Sequence, residues 1–356
     1  MEQFLIERLQ NFTLDRKVLS VDSNDRDKSR WPNANEFEVS LPQTYSNVES
    51  IRLLNVQIPN RLYNICEHLQ NNKMIIQTGS NKYMIILDDG YYNNTILCKT
   101  IENKINSLLT DAEAGVNPRK RFKIVFNPTS LKPHFVSDTI DFSLIFLHSD
   151  ISYNNSSISP CSDKIYDQHS NWGLGSNLGF NNKNWVESHP QSDSSNSEIY
   201  DYYNDIVYFH DISASATRDA SGVIIPPNQT EVNQNQFIYL EVDKYNTSDE
   251  IKPFINDRLN NTNTGLINSY FAKIPIKYNI FNENSINQSL SCKDDFIDSF
   301  SYYQPPIEKI SKLKIKFRYH NGLLVDLGNL NVSLSIEINQ IRNEMKNYDV
   351  RKPFRL

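Results

Sequence analysis

The stretch KLKIKFRYHNGLLVDLGNLNVSLSIEIN (312–339) decides the fold class. Lys312, Lys314, Lys316, Arg318 and His320 alternate with Leu313, Ile315, Phe317 and Tyr319. Successive side chains of an extended strand point to opposite faces, so this order puts the bases on one face and the apolar groups on the other. Asn321-Gly322 follows at once. That dipeptide favours a two-residue type I′ turn, whose central positions both need positive φ, and a hairpin to residues 323–327 is expected. Leu330, Val332, Leu334, Ile336 and Ile338 then alternate with Asn331, Ser333, Ser335, Glu337 and Asn339. The expectation is a three-strand meander with one buried face.

The same period recurs upstream. Strands are expected at 17–21, at 36–42 with Phe37, Val39 and Leu41 in alternation, and at 48–58 ahead of Pro59-Asn60. Short apolar runs at 74–77 and 83–87 end in Asp88-Asp89-Gly90, a turn signal. Residues 121–127, 142–148, 205–210, 236–243 and 270–278 also read as strands, the second apolar enough to be buried on both faces. In 236–243, Ile238, Leu240 and Val242 face one way and Tyr239, Glu241 and Asp243 the other.

Two segments have the helical period instead. Leu5, Leu9 and Phe12 make a short apolar stripe near the start, and Leu97, Ile101, Ile105 and Leu108 keep one face apolar over 94–109. Asn94 is the expected cap of the second helix, with Glu102 and Lys104 turned to water. Periodicity fades from 149 to 204, where Ser, Asn, Asp and Tyr dominate. The expected organisation is therefore a helical arm (1–16), a β-rich region with one helix (17–148), a polar insertion (149–204), and a β-rich region ending in the meander (205–356). The last region either completes the same sandwich or forms a second one.

Composition narrows the function. The 356 residues carry a formal net charge of −6, which excludes a surface basic throughout, and direct nucleic-acid binding is not expected because counterion release needs a broad basic footprint. Mean hydropathy is −0.55, yet 18 Phe and 19 Tyr argue for a packed core. No window approaches the roughly 18 apolar residues of a membrane span. Glu2, Glu7 and Arg8 stand where a signal peptide would need an apolar run. Cys66, Cys98, Cys161 and Cys292 show no CxxC spacing and read as reduced structural thiols. Roughly one residue in eight is Asn, which devalues the N-x-[ST] triplets at Asn11, Asn93, Asn228 and Asn331.

Catalytic constellations are weak. Asp22, Asp25 and Asp27 around Arg26 could offer oxygens to a hard cation, but the segment lacks the glycine and distal glutamate of a calcium loop and reads as a turn. Cys66 and His68 have no orienting partner. The other histidines, His134, His148, His169, His189 and His210 among them, show no zinc-ligand spacing. Gly173, Gly175 and Gly179 miss the dinucleotide fingerprint by one residue and lack a bracketing strand and helix. No enzyme, metal or cofactor is expected. The basic face remains, with lesser clusters at Arg119, Lys120, Arg121 and Lys123 and at Arg351, Lys352 and Arg355. Such a row is usually a solvated face that discourages edge pairing. Its functional reading, with Lys312, Lys314, Lys316 and Arg318 as partner-binding residues, is a dock for an acidic surface.

The segment VDSNDRDKSRWPNANEFEVSLPQTYSNVESIRLLNVQIPN (21–60) resembles the opening of minor capsid and other virion structural proteins of giant nucleocytoplasmic large DNA viruses. LDDGYYNNTILCKTIENKINSLL (87–109), LGF (178–180), YFAKIPI (270–276) and PPIEKISKLKIKFRYHNGLLVDLGNLNVSLSIEI (305–338) are similar to later signatures of that family, in the same order. The resemblance supplies no catalytic residue. It implies a capsid-associated, jelly-roll-like antiparallel β-sandwich, one large or two smaller, with a few helices and long polar loops, and the many short alternating strands point to the same class.

The expected function is a non-enzymatic minor capsid component, made in the host cytoplasm and located in the virion. Its expected partners are the major capsid protein, other minor capsid proteins and, as a homo-oligomer, a second copy of itself. The alternative is a carbohydrate-binding or host-attachment sandwich of the virion surface, with Trp172 and Trp185 as stacking platforms.

Overall fold

The computed structural model describes residues 12–59, 62–112, 122–137, 142–146, 173–180, 185–187, 222–233, 235–251, 267–276, 289–293, 301–328 and 330–343. The protein is mainly β and jelly-roll-like, with antiparallel pairing throughout. It divides into two compact units. One comprises residues 1–62, 235–253 and 265–356, the other residues 63–234 and 254–264. Most of the polar insertion, the expected strand at 205–210 and the N-terminal stripe up to residue 11 lie outside the described residues.

The first unit is built on one sheet. β1 (Phe12–Asp22), β2 (Glu36–Pro59), β10 (Phe237–Val242), β13 (Ala272–Pro275), β15 (Ser301–Arg318) and β16 (Ser333–Asn343) run in the spatial order β1-β16-β2-β15-β10-β13. β14 (Ser289–Lys293) also pairs with β2, through Asn55 to Pro59. β2 joins the two strands expected at 36–42 and 48–58 into one of 24 residues. Register shifts against β15 and β16 interrupt its ladders and let it bend, because a bulge adds local twist. Alternation holds as expected: Leu313, Ile315 and Phe317 are buried, as are Leu334, Ile336 and Ile338 and Ile238, Leu240 and Val242. The hairpin β11 (Ser248–Ile251) and β12 (Ile267–Tyr270) forms a separate small sheet.

Three local expectations are corrected here. The strand β1 begins at Phe12, so residues 12–16 of the expected helical arm are extended, held by the continuous ladder to β16. The Asn321-Gly322 turn is not type I′. Only Gly322 has positive φ, at 88°, the N–H of Gly322 donates to the Tyr319 carbonyl at 3.0 Å, and Asn321 Oδ1 accepts from Leu323 N–H at 3.0 Å. This is an ordinary turn followed by a left-handed glycine, the other common hairpin solution. Nor is there a meander: residues 323–327 make only a bridge to β15, from Leu324 to Arg318, and β16 inserts between β1 and β2.

In the second unit, β3 (Lys73–Thr78), β4 (Asn81–Ile86), β7 (Phe142–Ile145) and β8 (Trp185–Glu187) form a sheet in the order β4-β3-β7-β8. β5 (Phe122–Asn127), β6 (Lys132–Ser137) and β9 (Gly222–Ile224) form a second. Both sheets and the helix α1 (Asn94–Ala112) contribute to one core, in which Met74, Ile85, Leu144, Ile124, Phe135, Ile101 and Ile105 are buried. Ile75, Met84 and Ile145 make a smaller cluster of their own. Leu144 and Ile145 therefore serve different clusters, as the unbroken apolar run at 142–148 suggested.

The α1 cap is Asn93 rather than Asn94: its Oδ1 accepts from Ile96 N–H at 2.7 Å, satisfying one of the free N–H groups of the first turn. Glu102 does not face water. It is 1% exposed, paired with Lys99 Nζ at 2.8 Å, and accepts from the backbone N–H of Ile124 at 3.0 Å. One turn on, Asn106 donates to the Phe122 carbonyl at 2.9 Å and accepts from Phe122 N–H at 3.0 Å. Side chains four apart on a helix are spaced nearly as residues two apart on a strand, so α1 caps the outer edge of β5 with polar atoms.

Candidate functional site

The basic row of β15 is the strongest chemical signal in the sequence, and the structure places counter-charges along all of it. Lys316 lies opposite Glu36 and Lys314 opposite Glu38 in the β15–β2 ladder. Lys312 Nζ reaches Glu38 at 3.0 Å, Lys314 Nζ reaches Glu36 at 2.8 Å, and Lys316 Nζ stands 3.7 Å from the same carboxylate. Cross-strand pairs of opposite charge stabilise a sheet and specify its register. The Lys314 hydrogen bond holds the Glu36 carboxyl below its ordinary value, and Lys312 does the same for Glu38. Trp31 lies beside the row, its ring 5.2 Å from Lys314 Nζ and 5.5 Å from the Arg30 guanidinium.

The last member of the row is of a different kind. Arg318 is 4% exposed and lies opposite Tyr239 of β10. Its Nε donates to Glu241 and its Nη1 to Glu250, which β11 supplies from the separate hairpin. The guanidinium sits 5.0 Å from the centre of the Tyr239 ring. His320 Nδ1 is 3.2 Å from the second Glu250 oxygen. Burial, reinforced by the Glu250 charge, pushes the Tyr239 hydroxyl far above its ordinary value. A planar guanidinium serves two carboxylates and an aromatic face at once, which an ammonium cannot. The cluster ties β15, β10 and β11 together. Glu36, Glu38, Glu241 and Glu250 were not singled out from the sequence; Glu36-Phe37-Glu38 carried a visible acidic face, but its pairing needed the register.

The other described candidates from the sequence lie in turns, in the core or at close approaches; His148, His169, His189, His210, Cys161 and the side chain of Cys292 lie outside the described residues. Asp22 Oδ1 accepts from Asn24 N–H at 2.8 Å, and Asp27 Oδ1 from Ser29 N–H at 3.0 Å and Ser29 Oγ at 2.6 Å, so the acidic segment is a pair of capped turns. Arg26 holds the loop, donating to the carbonyls of Ser23 at 2.6 Å, Trp31 at 2.9 Å and Pro32 at 2.8 Å, and to Asn331 Oδ1 at 2.9 Å. Cys66 is buried while His68 lies at the surface. Burial pushes the Cys98 thiol up to about 12, which makes it a poor nucleophile. Gly175 packs where a Cβ would stand 2.7 Å from the Phe146 ring, and Gly179, at φ +92°, where a Cβ would stand 2.3 Å from the Asn228 carbonyl oxygen. Those glycines serve close approach.

Among the described residues, no group of three or more His, Cys, Asp and Glu side chains converges as a metal site would, and no helix is long and apolar enough to cross a membrane. Arg119, Lys120, Arg121, Trp172 and the basic tail lie outside the described residues, as does the side chain of Trp185.

No curated protein matches the sequence. Solved structures with similarity over nearly the whole chain include the following two. The mavirus penton protein is 10% identical, covering 93% of this chain and 100% of its own, with a TM-score of 0.39. A chain of the Sputnik virophage, from its 3.5 Å cryo-EM structure, is 9% identical, covering 94% of this chain and 99% of its own, with a TM-score of 0.38. Residues 5–302 match a family of unknown function (DUF5901), and the chain belongs to that family.

Proposed function

We propose that this protein is a non-enzymatic structural component of a virion, a minor capsid protein that packs against the major capsid protein or other minor capsid proteins. The observation that carries this reading is where the family-like segments fall and what they do. In 21–60, Arg26 staples a loop with four hydrogen bonds. In 87–109, Asn93 caps α1 and Glu102 and Asn106 bind β5. In 178–180, Gly179 allows a backbone crossing. In 305–338, the charged ladder sets strand register. These contacts maintain turns, edges and ladders within each unit.

A shell component functions through shape and interface burial, which contacts that maintain surfaces and strand order serve. Of the partner-binding residues expected from the sequence, Lys312, Lys314 and Lys316 remain candidates, while Arg318, buried against Glu241 and Glu250, is withdrawn. The lysine charges are already shared with Glu36 and Glu38, so the row keeps only a small net positive charge with which to orient an acidic partner. Cross-linking mass spectrometry on purified particles of the encoding virus tests the proposal. Cross-links from this chain to capsid proteins support it; absence of the chain from mature particles overturns it. A glycan array run with the same protein separates out the attachment alternative.

A further inference from the structure

Among the described residues, β1 is paired on one side only. β16 runs along its full length, from Phe12 opposite Asn343 to Asp22 opposite Ser333, and among the described residues no strand pairs with its other side. Sheets usually guard such an edge with a bulge, a proline, an outward lysine or a very short strand. β1 has eleven residues, no proline and an unshifted register. Its outer face shows Leu14 at 51% and Val18 at 58% exposure. Arg16 lies between them, but its guanidinium is drawn inward to Glu337 at 2.6 Å.

We propose that β1 pairs edge to edge with β1 of a second copy of this chain, antiparallel, about a two-fold axis at Arg16. The occupant follows from the symmetry of the sequence Leu14-Asp15-Arg16-Lys17-Val18. With the axis at Arg16, Leu14 stands opposite Val18 of the second copy and Asp15 opposite Lys17, each pair occurring twice. The apolar pairs share one face and the charged pairs the other, as alternation requires. Moving the axis to Lys17 sets lysine against lysine and Arg16 against Val18; moving it to Asp15 sets carboxylate against carboxylate and Leu14 against Arg16. One register is therefore favoured, and a two-fold contact of this kind closes on itself. The inference stands apart from the capsid reading, since a dimer formed by the isolated chain is compatible with any function.

Two single variants of the full chain test it, Leu14→Cys and Val18→Cys, both at exposed positions. Directly opposite residues of an antiparallel pair have Cα atoms about 4.5–5.5 Å apart, within disulfide range. The 1:1 mixture under mild oxidation is expected to give covalent dimer above the wild-type background, whereas each variant alone does not, because its own thiols are offset by four residues, about 13 Å. Val18→Lys is expected to weaken dimerisation of the otherwise wild-type chain at least tenfold by sedimentation. A monomer at about 100 μM, no excess cross-linking in the mixture, equal cross-linking of either variant alone, or a dimer unchanged by Val18→Lys overturns the proposal.

Discussion

Glu102 of α1 accepts a hydrogen bond from the backbone N–H of Ile124 at 3.0 Å, so a helix side chain does for β5 what a neighbouring strand would otherwise do. Both groups are buried, and neither has water as a substitute. A buried donor left without an acceptor costs about 1–3 kcal/mol. Glu102→Ala is therefore expected to destabilise the second unit by about that amount in urea titrations, and Glu102→Gln, which keeps a carbonyl oxygen in place, by clearly less. Equal losses in the two variants would show that the hydrogen bond contributes nothing beyond packing.

Arg318 is the counter-ion of two carboxylates, one of them as deeply buried as itself. Removing one member of such a cluster leaves charge without compensation, typically at about 3–5 kcal/mol. Arg318→Met is expected to lower the thermal midpoint of the first unit sharply, and Arg318→Lys to recover only part of it. Pairing Arg318→Met with Glu250→Gln should cost less than the sum of the two single changes, because each loses the same partner. Additive losses would mean that the contact carries no coupling.

The Lys314–Glu36 pair is still partly exposed, so solvent screening keeps its contribution to no more than about 1 kcal/mol. Its sign with pH is defined, because the hydrogen bond from Lys314 keeps the Glu36 carboxyl below its ordinary value. A carboxyl with a lower pKa folded than unfolded stabilises fully above its unfolded pKa and loses that contribution as pH falls through the folded one. Lys314→Met is expected to destabilise slightly at pH 7 and progressively less as pH falls through and below the ordinary carboxyl range, measured by urea titration across that range. A difference that persists in acid would assign the effect to the lysine stem rather than its charge.

Gly179 and Gly79 both have positive φ, at 92° and 58°, but only Gly179 faces backbone within reach of a Cβ. Gly79→Ala is expected to cost the 1–2 kcal/mol or so of a left-handed alanine. Gly179→Ala adds a collision with the Asn228 carbonyl and should cost markedly more. Matching losses by calorimetry would show that the crossing relaxes freely.

Much of the β architecture is legible from period-two alternation. Residues 312–319 and 334–338 bury the apolar members that the pattern names, and 237–242 does the same. Two of the differences follow from a neighbour distant in sequence and one from a local hydrogen bond. Glu102 lies on the flank of the α1 apolar stripe, between Cys98 and Leu109, and its charge is buried because the edge of β5 comes to meet it. Asn321-Gly322 has the composition of one tight turn and forms another, with Asn321 accepting from the backbone of Leu323. β16 has the alternation of a meander strand, but its ladder is taken by β2, which is long enough to pair with β15 and β16 at once.

By itself the sequence determined which residues of each strand face inward, because that depends only on the pleat of an extended chain and the removal of apolar side chains from water. It also determined that the bases at 312–318 share one face. Only the tertiary structure decided what those bases meet: Glu36 and Glu38, nearly three hundred residues earlier, and Glu241 and Glu250 from two other strands. Alternation specifies faces but not neighbours. Strand order and register depend on the summed packing of segments brought together by closing long loops, which no local pattern contains.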